Sequence, residues 1–263
     1  MSRLLLSPRW LVGHVLVIAI CALFVNLGFW QLRRLEERRL ENTVISNRLA
    51  AESLSIEDLV SGAGPDIESL GFRNAIANGV FDTSEEVLVR SQVHEGNAGW
   101  HVITPLVLSD GRAVLVNRGW VPLEMDAVPV PVVPPTGQVT VTGWVALTHE
   151  RRTGGAVEPE GRLTRIARVD VARLQEQMPY ALLPVYLVAD GKGESLPYGV
   201  ARPDTTDEGP HLMYAVEWFS FTAIGLVGYF FLMRRAMRRS PFVDGGAGFG
   251  QALDNGHAGD GPQ

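Results

Sequence analysis

Two apolar runs of membrane-crossing length, one towards each end, constrain this chain more than anything else in it. The second lies in GPHLMYAVEWFSFTAIGLVGYFFLMRRAMRR (Gly209–Arg239). From Leu212 to Met233 it holds one charged residue, Glu217, and it stops at Arg234, Arg235, Arg238 and Arg239. At about 1.5 Å per residue such a helix covers about 33 Å, more than the roughly 30 Å hydrocarbon core of a bilayer. The first run, Trp10–Leu32, is longer than the apolar core of a signal peptide and lacks small residues at a cleavage point, which predicts an uncleaved anchor. Arg3 and Arg9 precede it. The arginines after it (Arg33, Arg34, Arg38, Arg39) are interleaved with Glu36, Glu37 and Glu41, so the positive-inside bias rests on the two tails. Both termini are therefore expected in the cytoplasm, with the region between the spans outside it.

The expected organisation is a tail (1–9), a first span (10–32), a juxtamembrane helix (33–54), an outer domain (55–208), a second span (210–233) and a basic tail (234–263). Over residues 41–210 acidic side chains outnumber basic ones by 23 to 13, and no basic stripe forms, so nucleic acid is not an expected partner; lipid is. Cys21 is the single cysteine, which removes a disulfide framework, a CxxC pair and a CxxCH haem attachment. No GxSxG, HExxH or Walker loop occurs, and the chain is not expected to be an enzyme.

The middle reads as an α+β domain built on an antiparallel β-sheet or barrel. Strands are predicted at Glu86–Gln92, Gly99–Leu108, Ala113–Val121, Gln138–Leu147 and Pro184–Ala189, with a further one in Gly161–Val169. Ser109-Asp110-Gly111 makes a hairpin turn. The period of two places Val116, Arg118 and Trp120 on one face. Short helices are expected at Ser55–Gly64 and after the cap Asp170, through Gln177. Pro122, Pro129, Pro131, Pro134 and Pro135 make the stretch between strands an extended connector. Gln31 to about Ala50 reads as a continuation of the first helix into water, either a solvated stalk or a docking face, and Ser240–Gln263 as a Gly-rich disordered tail.

Among the histidines, His94 and His149 fall in polar loops, His257 in the tail and His101 on a strand, where a hydrogen-bonded role is expected. His14 lies inside the first span, near its cytoplasmic end, and is expected to bond across the helices or to reach the headgroups. His211, at the opening of the second span with Trp218 two turns on and Tyr214 between, is the candidate ligand; an interfacial histidine bonding lipid or the outer domain is the alternative. Glu217, one turn further in, needs a partner in the first span or in another protein.

FWQLRR (Phe29–Arg34), VNRGWVP (Val116–Pro122) and HLMYAVEW (His211–Trp218) together resemble the Surfeit-locus-1 family of cytochrome c oxidase assembly factors. The resemblance runs from about residue 10 to 239. It implies a membrane protein, in a bacterium of the plasma membrane, that assists insertion of haem a into subunit I of the haem–copper oxidase. His211 corresponds to the family's haem-ligating histidine and Trp218 to its accompanying tryptophan, and Tyr214 joins them as a cofactor contact. Arg118, Trp120 and Glu217 become candidate contacts with the oxidase, and RGWVP stays open between that role and fold maintenance. A second function class also stays open: a structural accessory subunit bound to the oxidase, or to a larger respiratory supercomplex, without carrying haem.

Overall fold

The computed structural model describes residues 7–148, 161–191 and 195–238. The expectations for His149, His257 and the Gly-rich tail lie outside these. The chain divides into two compact units, Met1–Arg34 with Pro210–Gln263, and Leu35–Gly209.

Helix α1 (Pro8–Ala50) is continuous over 43 residues, so the first apolar run and the juxtamembrane helix are one element. Between Leu32 and Ala50 no glycine or proline interrupts it. In the first unit α1 pairs antiparallel with the last helix, α4 (His211–Arg238): Gln31 meets His211, Phe24 meets Trp218 and His14 meets Tyr229. The seam of α4 is His211, Ala215, Trp218 and Thr222, alternating four and three residues apart as in other helix pairs. Ala215 and Thr222 are buried in it. Gly28 is needed opposite, because a Cβ there would come within 2.7 Å of the Phe219 ring. Away from the seam the unit is apolar and exposed, as at Val12, Val15, Ile18, Ile224 and Phe231.

The second unit is a barrel. Its elements are β1 (Leu54–Ser55), α2 (Ile56–Ala63), β2 (Asn74–Phe81), β3 (Val87–His94), β4 (Asn97–Leu108), β5 (Ala113–Pro122), β6 (Val139–Leu147), β7 (Arg165–Ile166), α3 (Val171–Gln175) and β8 (Leu182–Ala189). The strands run β2-β6-β8-β5-β4, and pairing of β2 with the far end of β4 closes the ring. β3 and β7 extend from β4, and β1 lies beside β2.

The sheet is mixed rather than antiparallel: β8 runs parallel to β5, β7 to β3 and β1 to β2. The long chain between β5 and β8 imposes no hairpin constraint, so β8 can enter the ring between β5 and β6 in either sense. The strand expected in Gly161–Val169 shrinks to the two residues of β7.

Strand β2 was not among the predicted strands, and it closes the barrel. Its sequence, NAIANGVF, is poor in β-branched residues because Ala75 and Ala77 point into a narrow interior with Leu106, Val116, Val145 and Leu187, plugged by Ile56 and Leu59 of α2. Gly79 has no side chain where Val107 O approaches; a Cβ would lie 2.3 Å from it. Outside the ring, Val87, Val89, Ile103 and Leu115 pack under α3. Asp170 caps α3 by accepting the Arg173 N–H at 3.1 Å, as expected, and the helix ends at Gln175. Ser55 caps α2 through the Asp58 N–H.

The register of β4 with β5 shifts at one point: Val102 faces Gly119 and Ile103 faces Asn117, leaving Arg118 as the extra residue of a bulge. That insertion overturns the expectation of one shared face. Val116 lies opposite Thr104 and Trp120 opposite His101, so Trp120 turns to the other side. Asn117 holds the bulge by accepting the Gly119 N–H on Oδ1 at 3.1 Å. Its Nδ2 therefore donates to His101 Nδ1, at 3.1 Å. Burial, reinforced by the nearby His94, lowers the His101 pKa to about 4.

On the Thr104 side, Glu86 is buried. Its Oε2 accepts from Arg118 Nη1 at 2.9 Å and from Thr104 Oγ1 at 2.7 Å, and its Oε1 accepts the Val130 N–H at 2.7 Å. Arg118 Nη2 donates to Val132 O. The proline-rich connector is thus bonded at Val130 and Val132, and Val130 packs on Leu88, Val102 and Val121. The last part of α1 is tied into this unit rather than standing as a solvated stalk. Asn42 Nδ2 donates to Asp207 O at 2.9 Å, Arg39 pairs with Glu208 through two bonds, and Asn74 Nδ2 donates to Leu49 O and Ala51 O.

Two outcomes follow from the polar interior. Arg118→Ala, which strands the Glu86 carboxylate, should cost about 3–5 kcal/mol in denaturant unfolding of the detergent-solubilised chain. His101 binds its proton more readily in the unfolded chain, so its contribution is complete above pH about 6.5 and is lost as pH falls towards 4. That contribution is on the order of 3 kcal/mol, and unfolding series between pH 7 and 4 should show it missing in His101→Gln.

Candidate cofactor site on the helix pair

His211 is the first residue of α4, and the Pro210 carbonyl behind it accepts the Tyr214 N–H at 3.1 Å. Across the seam its Nδ1 lies 2.9 Å from Oε1 of Gln31. An amide oxygen only accepts, so His211 Nδ1 carries a proton, and in the neutral ring the lone pair then lies on Nε2. This is the arrangement of a ligating histidine, with one nitrogen for the metal and the other donating to an acceptor that fixes the ring. Gln31 is buried at 9% exposure. It was not singled out from the sequence, although a lone amide in the apolar-to-charged FWQLRR segment was a signal that antiparallel pairing brings opposite His211.

Trp218 stands two turns further on the same seam, 5.3 Å from the Phe24 ring and 6.0 Å from Phe221. Tyr214 is 46% exposed and flanks the seam rather than lying in it. Glu217 is exposed on the outer surface, without an ion pair among the described residues. Of the two partners expected for it, the first span does not supply one.

His14 pairs with the Tyr229 hydroxyl and the Trp10 ring at the opposite end of the seam. Seventeen residues separate it from Gln31, about 26 Å of helix, so His14 and His211 do not share a ligand.

The other two expected contact residues are inside the barrel unit. The Arg118 side chain is 8% exposed in its pair with Glu86, and Trp120 is 5% exposed, so neither offers a surface to a partner. Trp120 instead anchors the chain that leads out of the barrel. Its backbone exchanges two hydrogen bonds with Tyr198, at 2.7 and 2.9 Å, and His94 stacks on Tyr198 at 4.8 Å and lies 5.3 Å from the Trp120 ring. His94 is therefore part of a ring cluster at the end of β3, not a loop histidine. Gly119 has φ 129°, and a Cβ would sit 2.4 Å from Tyr198 O. These contacts give RGWVP a structural role.

A long and a shorter apolar helix flanking a closed barrel, with a seam histidine held by an amide, define a class of two-helix proteins carrying a β-barrel unit. Within it, the chain belongs to the SURF1 (Surfeit-locus-1) family, which it matches over residues 18–223. It is 29% identical over 244 residues to an uncharacterized SURF1-like protein of Mycobacterium tuberculosis, covering 89% of this chain and 88% of that one. A SURF1-like protein of Rickettsia felis is 22% identical over 229 residues, 84% of this chain and 96% of its own. The cytochrome oxidase assembly protein SHY1 of Saccharomyces cerevisiae is 30% identical over 114 residues, 43% of this chain and 28% of its own.

Proposed function

We propose that this protein is a membrane-anchored assembly factor for a haem–copper cytochrome c oxidase, and that it holds haem a at His211 before insertion into subunit I. Family membership and the likeness to SHY1 support the assembly role. The observation that carries the cofactor reading is the His211–Gln31 bond, which orients the ring and would leave Nε2 open to a metal. Nε2 of His211 would hold the iron, and the faces of Trp218 and Tyr214 would pack on the macrocycle. Holding and releasing a cofactor requires no catalytic step. The exposed apolar surfaces of α1 and α4 support insertion of both into a bilayer, with the tails cytoplasmic. Glu217, exposed among apolar residues, would meet a cationic or hydrogen-bonding side chain of the oxidase, alone or in a supercomplex.

Purified in mild detergent, the protein should carry a haem a absorption band that His211→Ala abolishes and Gln31→Leu weakens, with an unfolding midpoint close to that of the parent. Cells with His211→Ala should assemble oxidase with less haem a. A colourless parent protein that still co-purifies with mature oxidase would overturn the haem reading in favour of a resident accessory subunit. Glu217→Leu should reduce co-purification with the oxidase at least several-fold while leaving the haem band in place.

A further inference from the structure

Across the outer face of the barrel runs a cleft of about 610 Å³, lined by residues of five neighbouring strands and by the chain at Ala167–Val169 and Val200. The register orders its floor. Val89 of β3 lies opposite His101 of β4, Asn117 of β5 opposite Val188 of β8, and Val188 opposite Trp144 of β6. A cleft of this volume suits a small organic molecule. It belongs wholly to the Leu35–Gly209 unit and does not depend on the His211 reading.

The polar groups lining this cleft are mostly donors. The Asn117 amide is oriented by the Gly119 N–H on its oxygen, so it donates to His101 Nδ1, and the imidazole proton sits on Nε2. Nε2–H has no partner among the described residues. The imidazole stays neutral there because its pKa lies at about 4. Burial pushes the Tyr186 hydroxyl above its ordinary value, so it too remains a neutral donor, and no hydrogen bond engages it among the described residues. Arg168 is exposed at the rim and makes no ion pair among the described residues. Among the described residues no aspartate or glutamate lines the cleft. The Gln92 amide also lines the cleft, its Nε2 donating to Arg90 O at 2.9 Å, and the rest of the described wall is apolar: Val89, Ala167, Val169, Val188, Val200 and the Trp144 ring.

We propose that this cleft binds a small carboxylate with an apolar body, the carboxylate taken by Arg168, His101 Nε2–H and Tyr186 O–H and the body laid on Trp144 and the valines. One guanidinium with two neutral donors matches a monoanion. A dianionic phosphate would call for more positive charge than the cleft holds.

The test uses the full chain in non-ionic detergent, with 2-naphthoate as probe and its neutral isostere 2-naphthamide as control. Titration calorimetry should give saturable naphthoate binding at least tenfold tighter than the amide. Arg168→Gln, a rim substitution, should weaken naphthoate at least tenfold with an unchanged thermal midpoint, and Tyr186→Phe should weaken it several-fold. Nitrogen-15 NMR of histidine-labelled protein, assigned with His101→Gln, should show the His101 pKa rising when naphthoate binds, because a carboxylate favours the imidazolium. His94 also acts on His101, and Arg168 lines the same cleft; Arg168→Gln should therefore be titrated without ligand as the baseline. Equal affinity for amide and carboxylate would mean partition into the micelle and overturn the proposal. Unchanged affinity in Arg168→Gln, or a His101 titration indifferent to the ligand, would overturn it as well.

Discussion

The barrel unit depends on one buried carboxylate. Glu86 accepts from Arg118 at the bulge of β5, from Thr104 on β4 and from the backbone of Val130 in the proline-rich connector. A connector dense in proline has few N–H groups to donate and cannot join a sheet, so it is held by side chains or not at all. Glu86 and Arg118 supply that hold, and the cost of burying the charges is offset by their mutual pair and by the bonds to Thr104, Val130 and Val132. The same bulge turns Trp120 away from Arg118. It thereby creates two differently furnished faces: an ion pair on one side, and His101, Trp120 and the ring cluster on the other.

Polar groups in the helical unit obey a similar rule. An antiparallel pair of apolar helices leaves few places for a polar side chain, and the two imidazoles occupy opposite ends of the seam. His211 is oriented by the Gln31 oxygen, which only accepts, so Nδ1 carries a proton and the neutral ring has its lone pair on Nε2; His14 is met by the Tyr229 hydroxyl and the Trp10 ring. Glu217 differs: among the described residues of its unit no ion pair neutralises it. An exposed carboxylate on an apolar helix marks a surface that another molecule completes.

Much of the frame was legible in the chain. The apolar runs correspond to α1 and α4, the capping residues Ser55 and Asp170 open the short helices, and the hairpin at Ser109–Gly111 joins β4 to β5. What escaped was non-local. β2 carries alanine and asparagine where strand propensity expects branched residues, because a closed ring plugged by a helix has room for little else. Gln31 escaped because an amide acquires a role only from what faces it, and its partner is 180 residues away.

The sequence by itself determined the two apolar helices, the strand-rich middle and the family, because hydrophobic length, β-branched alternation and short motifs are local properties of a chain. Only the tertiary structure decided that the sheet is a closed, mixed ring, that Arg118 and Trp120 lie buried on opposite faces, and which nitrogen of His211 is free. Each of those depends on a register or a partner across space. A single inserted residue in one strand changes it, and no local pattern records the insertion.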